Sequence, residues 1–133
     1  MAEARAPAVA ERLVEAIGRH DVAGILELLT DDPVLIDSAG AALRGRAEHE
    51  LAWRGYFELF PDYRIEIEAA IAAGSTVALF GFASGSAAVA GSDERRAWRV
   101  PAAWRAVVRG DRIAVWQVYA DLAPVRAGMG EGA

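Results

Sequence analysis

Few side chains in this sequence can do acid–base or nucleophilic chemistry. The chain has no cysteine, and all fourteen of its basic residues are arginine. That excludes thiolate nucleophiles, disulfides and zinc–sulfur sites, and it excludes lysine Schiff-base chemistry. Two histidines, His20 and His49, are too few for a histidine-rich metal cage, so no metal and no cofactor are expected. Carboxylates, tyrosines and an imidazole remain. In DDPVLIDSAG, residues 31–40, Asp37 ends a run of strand-forming residues and precedes Ser-Ala-Gly. A carboxylate there either starts the turn with its own side chain or stands at the rim of a pocket, where apolar surroundings would raise its pKa. His49, Trp53, Tyr56 and Phe60 recur at i, i+4, i+7 and i+11, one stripe of a helix. An imidazole on that stripe titrates near neutrality and could partner Asp37; alternatively it is a core-edge histidine bonded to a backbone carbonyl. Asp121 follows the last apolar strand residue and is either a third acid–base candidate or a solvated strand end.

The elements that must position these groups follow from periodicity. Positions 6–18 carry Val9, Leu13, Ala16 and Ile17 at helical spacing. Asp21 can cap a second, shorter helix through Leu29. Pro33 closes off helix and admits an extended segment from Val34 to Asp37. Gly45 opens a third helix over about 46–60, and Pro61 ends it. From Asp62 the period changes to 2, with Tyr63, Ile65, Ile67, Ala69 and Ile71 on one face. Thr76 to Ser84 is nearly all apolar, which predicts a strand covered on both faces. Residues 85–93 read as a loop, 96–109 and 113–120 as strands joined by a turn at Arg109–Arg112. The tail, 124–133, is expected to fray. Helices followed by a meander of strands predict one α+β domain over 1–133, its helices packed on one face of a curved, mainly antiparallel sheet. Such a cone can enclose a pocket.

That order of elements resembles the SnoaL-like branch of the nuclear transport factor 2-like superfamily, which includes ketosteroid isomerases and polyketide cyclases. The resemblance rests on the His20-Asp21 helix junction and on LLTDDPVLIDSAG, LRGRAEHELAWRGYFELFPDYRIEIE, AAGSTVALFGFASGS, WRVPAAW and GDRIAVWQVYADLAPV, taken in order. It implies a cone-shaped α+β barrel around a ligand pocket. Asp37 resembles the general base of the isomerases, and Asp121 the acid–base aspartate of the cyclases. Leu13 and Ala103 stand where the isomerases place their tyrosine and aspartic acid oxyanion donors, so strict ketosteroid isomerase activity is not expected. The superfamily also contains modules that only bind or dimerise, and its fold alone does not choose between these roles.

Within the cone, Trp53, Tyr56, Phe60 and Trp116 are expected to contact ligand. Alternation groups Ala78, Phe80, Phe82 and Ser84 on a face expected to line the cavity, with Ala103 leaving room and Arg105 sharing its face. The expected ligand is a small, largely apolar carbonyl compound, polyketide- or terpenoid-like. Isomerisation, aldol cyclisation or dehydration would then use Asp37 as base, assisted by His49 or Tyr56. A net charge of −5 argues against nucleic acid as a partner. No apolar run reaches the roughly 20 residues that span a bilayer, and no leader-like segment opens the chain, so a cytoplasmic location is expected. A homodimer is expected through the outer sheet face, whose Val and Trp side chains a monomer would leave wet.

Overall fold

The computed structural model describes residues 2–128. The elements are α1 (Ala2–Gly18), α2 (Val22–Glu27), β1 (Leu29–Ile36), β2 (Ala42–Arg44), α3 (Arg46–Leu59), β3 (Arg64–Ala73), β4 (Thr76–Ala88), β5 (Arg95–Arg109), β6 (Arg112–Ala120) and α4 (Ala123–Gly128). The fold is α+β. One curved, unclosed sheet of six strands runs in the order β2-β1-β6-β5-β4-β3, and only the β1–β6 pairing is parallel. The buried stripe of α1 includes Val9, Leu13, Ala16 and Ile17, and the helix packs across β3, β4 and β5. α3 lies on β1 and against α2.

Asp21 caps α2 as expected, its Oδ1 accepting from the Gly24 N–H at 3.0 Å. The helix stops before Leu29, because Leu29 already pairs with Ile113 of β6. β1 therefore includes Pro33. The proline is tolerated because it falls where the β1–β6 register shifts, between Leu29 and Val34. β2, for which the sequence carries no strand period, is a short edge strand paired to β1.

Two expectations about sheet faces are overturned. A bulge between Ile67 and Ala69 reverses the alternation of β3. Ile65 and Ile67 pack towards the core, whereas Ile71 lies on the outer face, 62% exposed. Gly81 faces this bulge, and a Cβ there would come within 1.8 Å of the Glu66 carbonyl oxygen. On β4 the buried residues are Val77, Leu79, Ala83, Gly85 and Ala87, so the expected cavity face, Ala78, Phe80, Phe82 and Ser84, is the outer one. No described helix packs on that face, and Phe80 is 43% exposed.

β4 and β5 also extend further than predicted, pairing out to Ala88 and Arg95 and reducing the 85–93 loop to a hairpin tip. Residues 124–128 of the tail expected to fray belong to α4, with Val125 buried against the core. Residues 129–133 lie outside the described residues. No described helix is long and apolar enough to cross a membrane.

Candidate functional site

Between α3 and the concave sheet face lies a partly enclosed cavity of about 210 Å³. β1 and β6 supply one wall. Leu35 and Trp116 are register partners there, with Val118 two residues further along β6. β5 contributes Trp104, whose ring lies 6.4 Å from that of Trp116 with 21° between their planes. From α3, Trp53 and Tyr56 line the opposite side, and Tyr63 joins them just beyond the helix end. Leu43 and Leu122 complete an almost wholly apolar lining. This volume is below the about 300–1,000 Å³ of pockets that hold drug-sized ligands, and suits a smaller one.

Asp37 answers to both descriptions the sequence allowed. Its Oδ1 accepts from the Ala39 and Ala41 N–H groups, each at 2.9 Å, and its own carbonyl accepts from Gly40 N–H at 2.9 Å. The side chain thus builds the turn that follows β1. The same residue, with Ser38, also lines the cavity. Strand periodicity explains this, since residue 37 continues the inward face of Leu35.

Two tyrosines give the cavity its other polar groups. Tyr56 and Tyr63 meet edge to face, with ring centroids 4.8 Å apart. Burial is the main cause that pushes Tyr56 up to about 12 and Tyr63 well above the usual tyrosine value. Both are therefore neutral near pH 7, and each hydroxyl can donate a hydrogen bond.

His49 shares the α3 stripe but does not line the cavity. It is fully buried, with neither ring nitrogen in a protein hydrogen bond. Burial lowers its pKa to about 4, the Val34 backbone opposing and Arg46 reinforcing the shift. The expected carbonyl bond is not formed with hydrogen-bonding geometry. Asp121 is exposed and also lies outside the lining, its Oδ1 accepting from the Ala123 N–H at 3.0 Å at the start of α4.

Of the expected ligand contacts, Trp53, Tyr56 and Trp116 line the cavity. Phe60 stands behind them, packed edge-on against Tyr56 and Trp98. Phe80, Phe82, Ala103 and Arg105 belong to the outer face, a correction that follows from α1 covering the opposite face of β4 and β5. There Arg99 covers the Phe82 ring at 3.6 Å, and Arg105 donates to Gln117 Oε1 through Nε and Nη2 at 3.2 and 2.9 Å. Tyr63 and Trp104 were not singled out from sequence as cavity residues. Tyr63 is seven residues beyond Tyr56, but the break at Pro61 intervenes and no local pattern joins the two.

The sequence matches the SnoaL-like domain family over residues 10–116. Among curated proteins no sequence matches. Solved structures of similar fold include a proposed polyketide cyclase from Xanthomonas campestris pv. campestris. It has 18% identity and a TM-score of 0.84, over 97% of this chain and 99% of that one. A proposed SnoaL-like polyketide cyclase from Jannaschia sp. CCS1 has 16% identity and a TM-score of 0.83, over 98% and 95%. A hypothetical protein with a ketosteroid isomerase-like fold from Catenulispora acidiphila, in complex with trimethylamine, has 22% identity and a TM-score of 0.76, over 94% of each chain. Identities this low establish a shared fold and leave activity to the site. With a curved six-stranded sheet, four described helices and a family match over most of its length, the chain belongs to the SnoaL-like domain family.

Proposed function

We propose that the cavity binds a small, largely apolar carbonyl compound and that the protein catalyses proton transfer on it. The observation that carries this reading is the presence of Asp37 and the Tyr56–Tyr63 pair on one otherwise apolar cavity. The Tyr56 hydroxyl donates to the carbonyl oxygen. Asp37 removes a proton from the adjacent carbon, the C–H electron pair moves into the enolate, and the negative charge develops on the oxygen that Tyr56 holds. Returning the proton to another carbon gives isomerisation. Attack of the enolate carbon on a second carbonyl gives aldol cyclisation, and loss of a β-hydroxyl with a proton gives dehydration. Each is completed by proton transfer without a cofactor. The cavity volume favours a compact ligand, such as a single-ring ketone or enone.

The test begins with binding. Trp53, Trp104 and Trp116 line the cavity, so monocyclic ketones and enones should change tryptophan fluorescence saturably. Deuterium exchange at the α-carbons of a bound ketone, followed by NMR, then reads the chemistry. Exchange no faster than in buffer would remove catalysis from the reading.

A binding-only role is the second reading, favoured by the exposure of Asp37 and the commitment of its Oδ1 to the turn. It predicts saturable fluorescence changes without exchange. In either role we propose a homodimer paired through the outer sheet face. Phe80, Tyr119 and Ile71 are 43%, 49% and 62% exposed around the Arg105–Gln117 pair. Trp98, Trp104 and Trp116 face inward, so the apolar part of this surface is not tryptophan.

A further inference from the structure

His20 ends α1 in the left-handed conformation, with φ 54°. Its N–H donates to the Ile17 carbonyl at 3.0 Å, and the Asp21 N–H donates to the Ala16 carbonyl at 3.0 Å. These paired bonds form a helix stop whose left-handed position is ordinarily glycine, because a Cβ is strained there. A histidine kept at such a position points to a role for its side chain.

The imidazole makes two contacts. Its ring stacks on Phe57 at 4.0 Å with 8° between planes, and its Nε2 lies 2.8 Å from the Tyr63 carbonyl oxygen. A carbonyl can only accept, so Nε2 carries a proton in either charge state of the ring. Phe57 is the α3 neighbour of Tyr56, and Tyr63 lies beyond the break at Pro61. One side chain therefore touches both the helix that carries Tyr56 and the backbone that carries Tyr63. The Tyr63 N–H in turn donates to the Phe60 carbonyl at 3.1 Å.

We infer that His20 is a positioning residue that clamps Tyr63 against Tyr56 and so holds the Tyr56 hydroxyl in place for a ligand. The ligand clause rests on the function proposed above; the clamp does not.

Burial raises the pKa of both Tyr56 and Tyr63. His20→Gly and His20→Asn both tolerate the left-handed backbone, and circular dichroism should confirm the fold. Each should let Tyr63 ionise at lower pH than in the wild type, read by ring-carbon NMR, and weaken cyclohexenone binding at least tenfold. A wild-type Tyr63 titration in either folded variant would overturn the clamp. Nitrogen NMR of wild-type His20 provides a check independent of any variant: the neutral ring must be the Nε2–H tautomer, and an Nδ1–H tautomer would overturn the inference. A shifted Tyr63 titration with unchanged cyclohexenone binding would support the clamp while overturning the carbonyl-ligand reading.

Discussion

Tyr56 and Tyr63 meet inside the cavity with their ring centroids 4.8 Å apart and 89° between planes. Tyr56 carries the hydroxyl proposed to meet the ligand carbonyl. Tyr56→Phe should weaken binding of a small enone about tenfold, the scale of one neutral hydrogen bond. Tyr63→Phe, which leaves that hydroxyl in place, should cost less. Fluorescence titration separates the two, and equal losses would contradict the role given to Tyr56.

Asp37→Asn tests the proposed base without dismantling the turn. An asparagine side-chain oxygen can still accept from the Ala39 and Ala41 N–H groups. The melting temperature should hold, whereas α-carbon deuterium exchange should fall by at least about 100-fold. Exchange at the wild-type rate would take Asp37 out of the mechanism.

His49 is expected to govern acid stability. Its folded pKa of about 4 lies below the ordinary 6.5 because burial disfavours the charged ring. Between those values the unfolded chain binds a proton at His49 that the folded chain lacks. Its contribution is therefore complete above about pH 6.5 and is lost as pH falls towards about 4, by up to about 3 kcal/mol. His49→Leu should flatten stability between pH 4 and 6.5 and raise it at pH 5, since two buried nitrogens without partners are removed. Denaturant midpoints against pH measure this. A loss of exchange activity in the folded variant would restore His49 as a catalytic candidate.

Gly81→Ala should destabilise the chain by at least about 2 kcal/mol, because the added methyl meets a main-chain oxygen of the β3 bulge that has little freedom to move. Gly18→Ala, with open space around its Cβ position, serves as the contrast. Urea unfolding of the two variants makes the comparison.

Phe80→Asp places a charge at the centre of the outer face and should weaken the proposed dimer at least tenfold without lowering cavity affinity. Sedimentation equilibrium reads the first effect and fluorescence titration the second. A wild-type chain that sediments as a monomer at micromolar concentration would remove the interface.

The α+β class, the three longer helical and strand segments around Asp37, and the α3 stripe were legible in the sequence, because amphipathic period, prolines and caps act within a few residues of chain. Trp53, Tyr56 and Trp116 were found in this way. The faces of β3 and β4 were not. A single extra residue at the Ile67–Ala69 bulge reverses alternation, and nearly uniform apolarity in β4 leaves both faces equally plausible until α1 covers one. The paired edge strand β2 and the helix α4 likewise depend on partners distant in sequence. Sequence alone therefore determined which chemistry was available: carboxylates, tyrosines and two imidazoles, with no thiol or amine side chain. Tertiary structure decided which of these groups meet. It brings Asp37, Tyr56 and Tyr63 to one cavity and leaves Asp121 and His49 outside its lining. The physical reason is that shared burial depends on sheet register and helix packing, which no local pattern encodes.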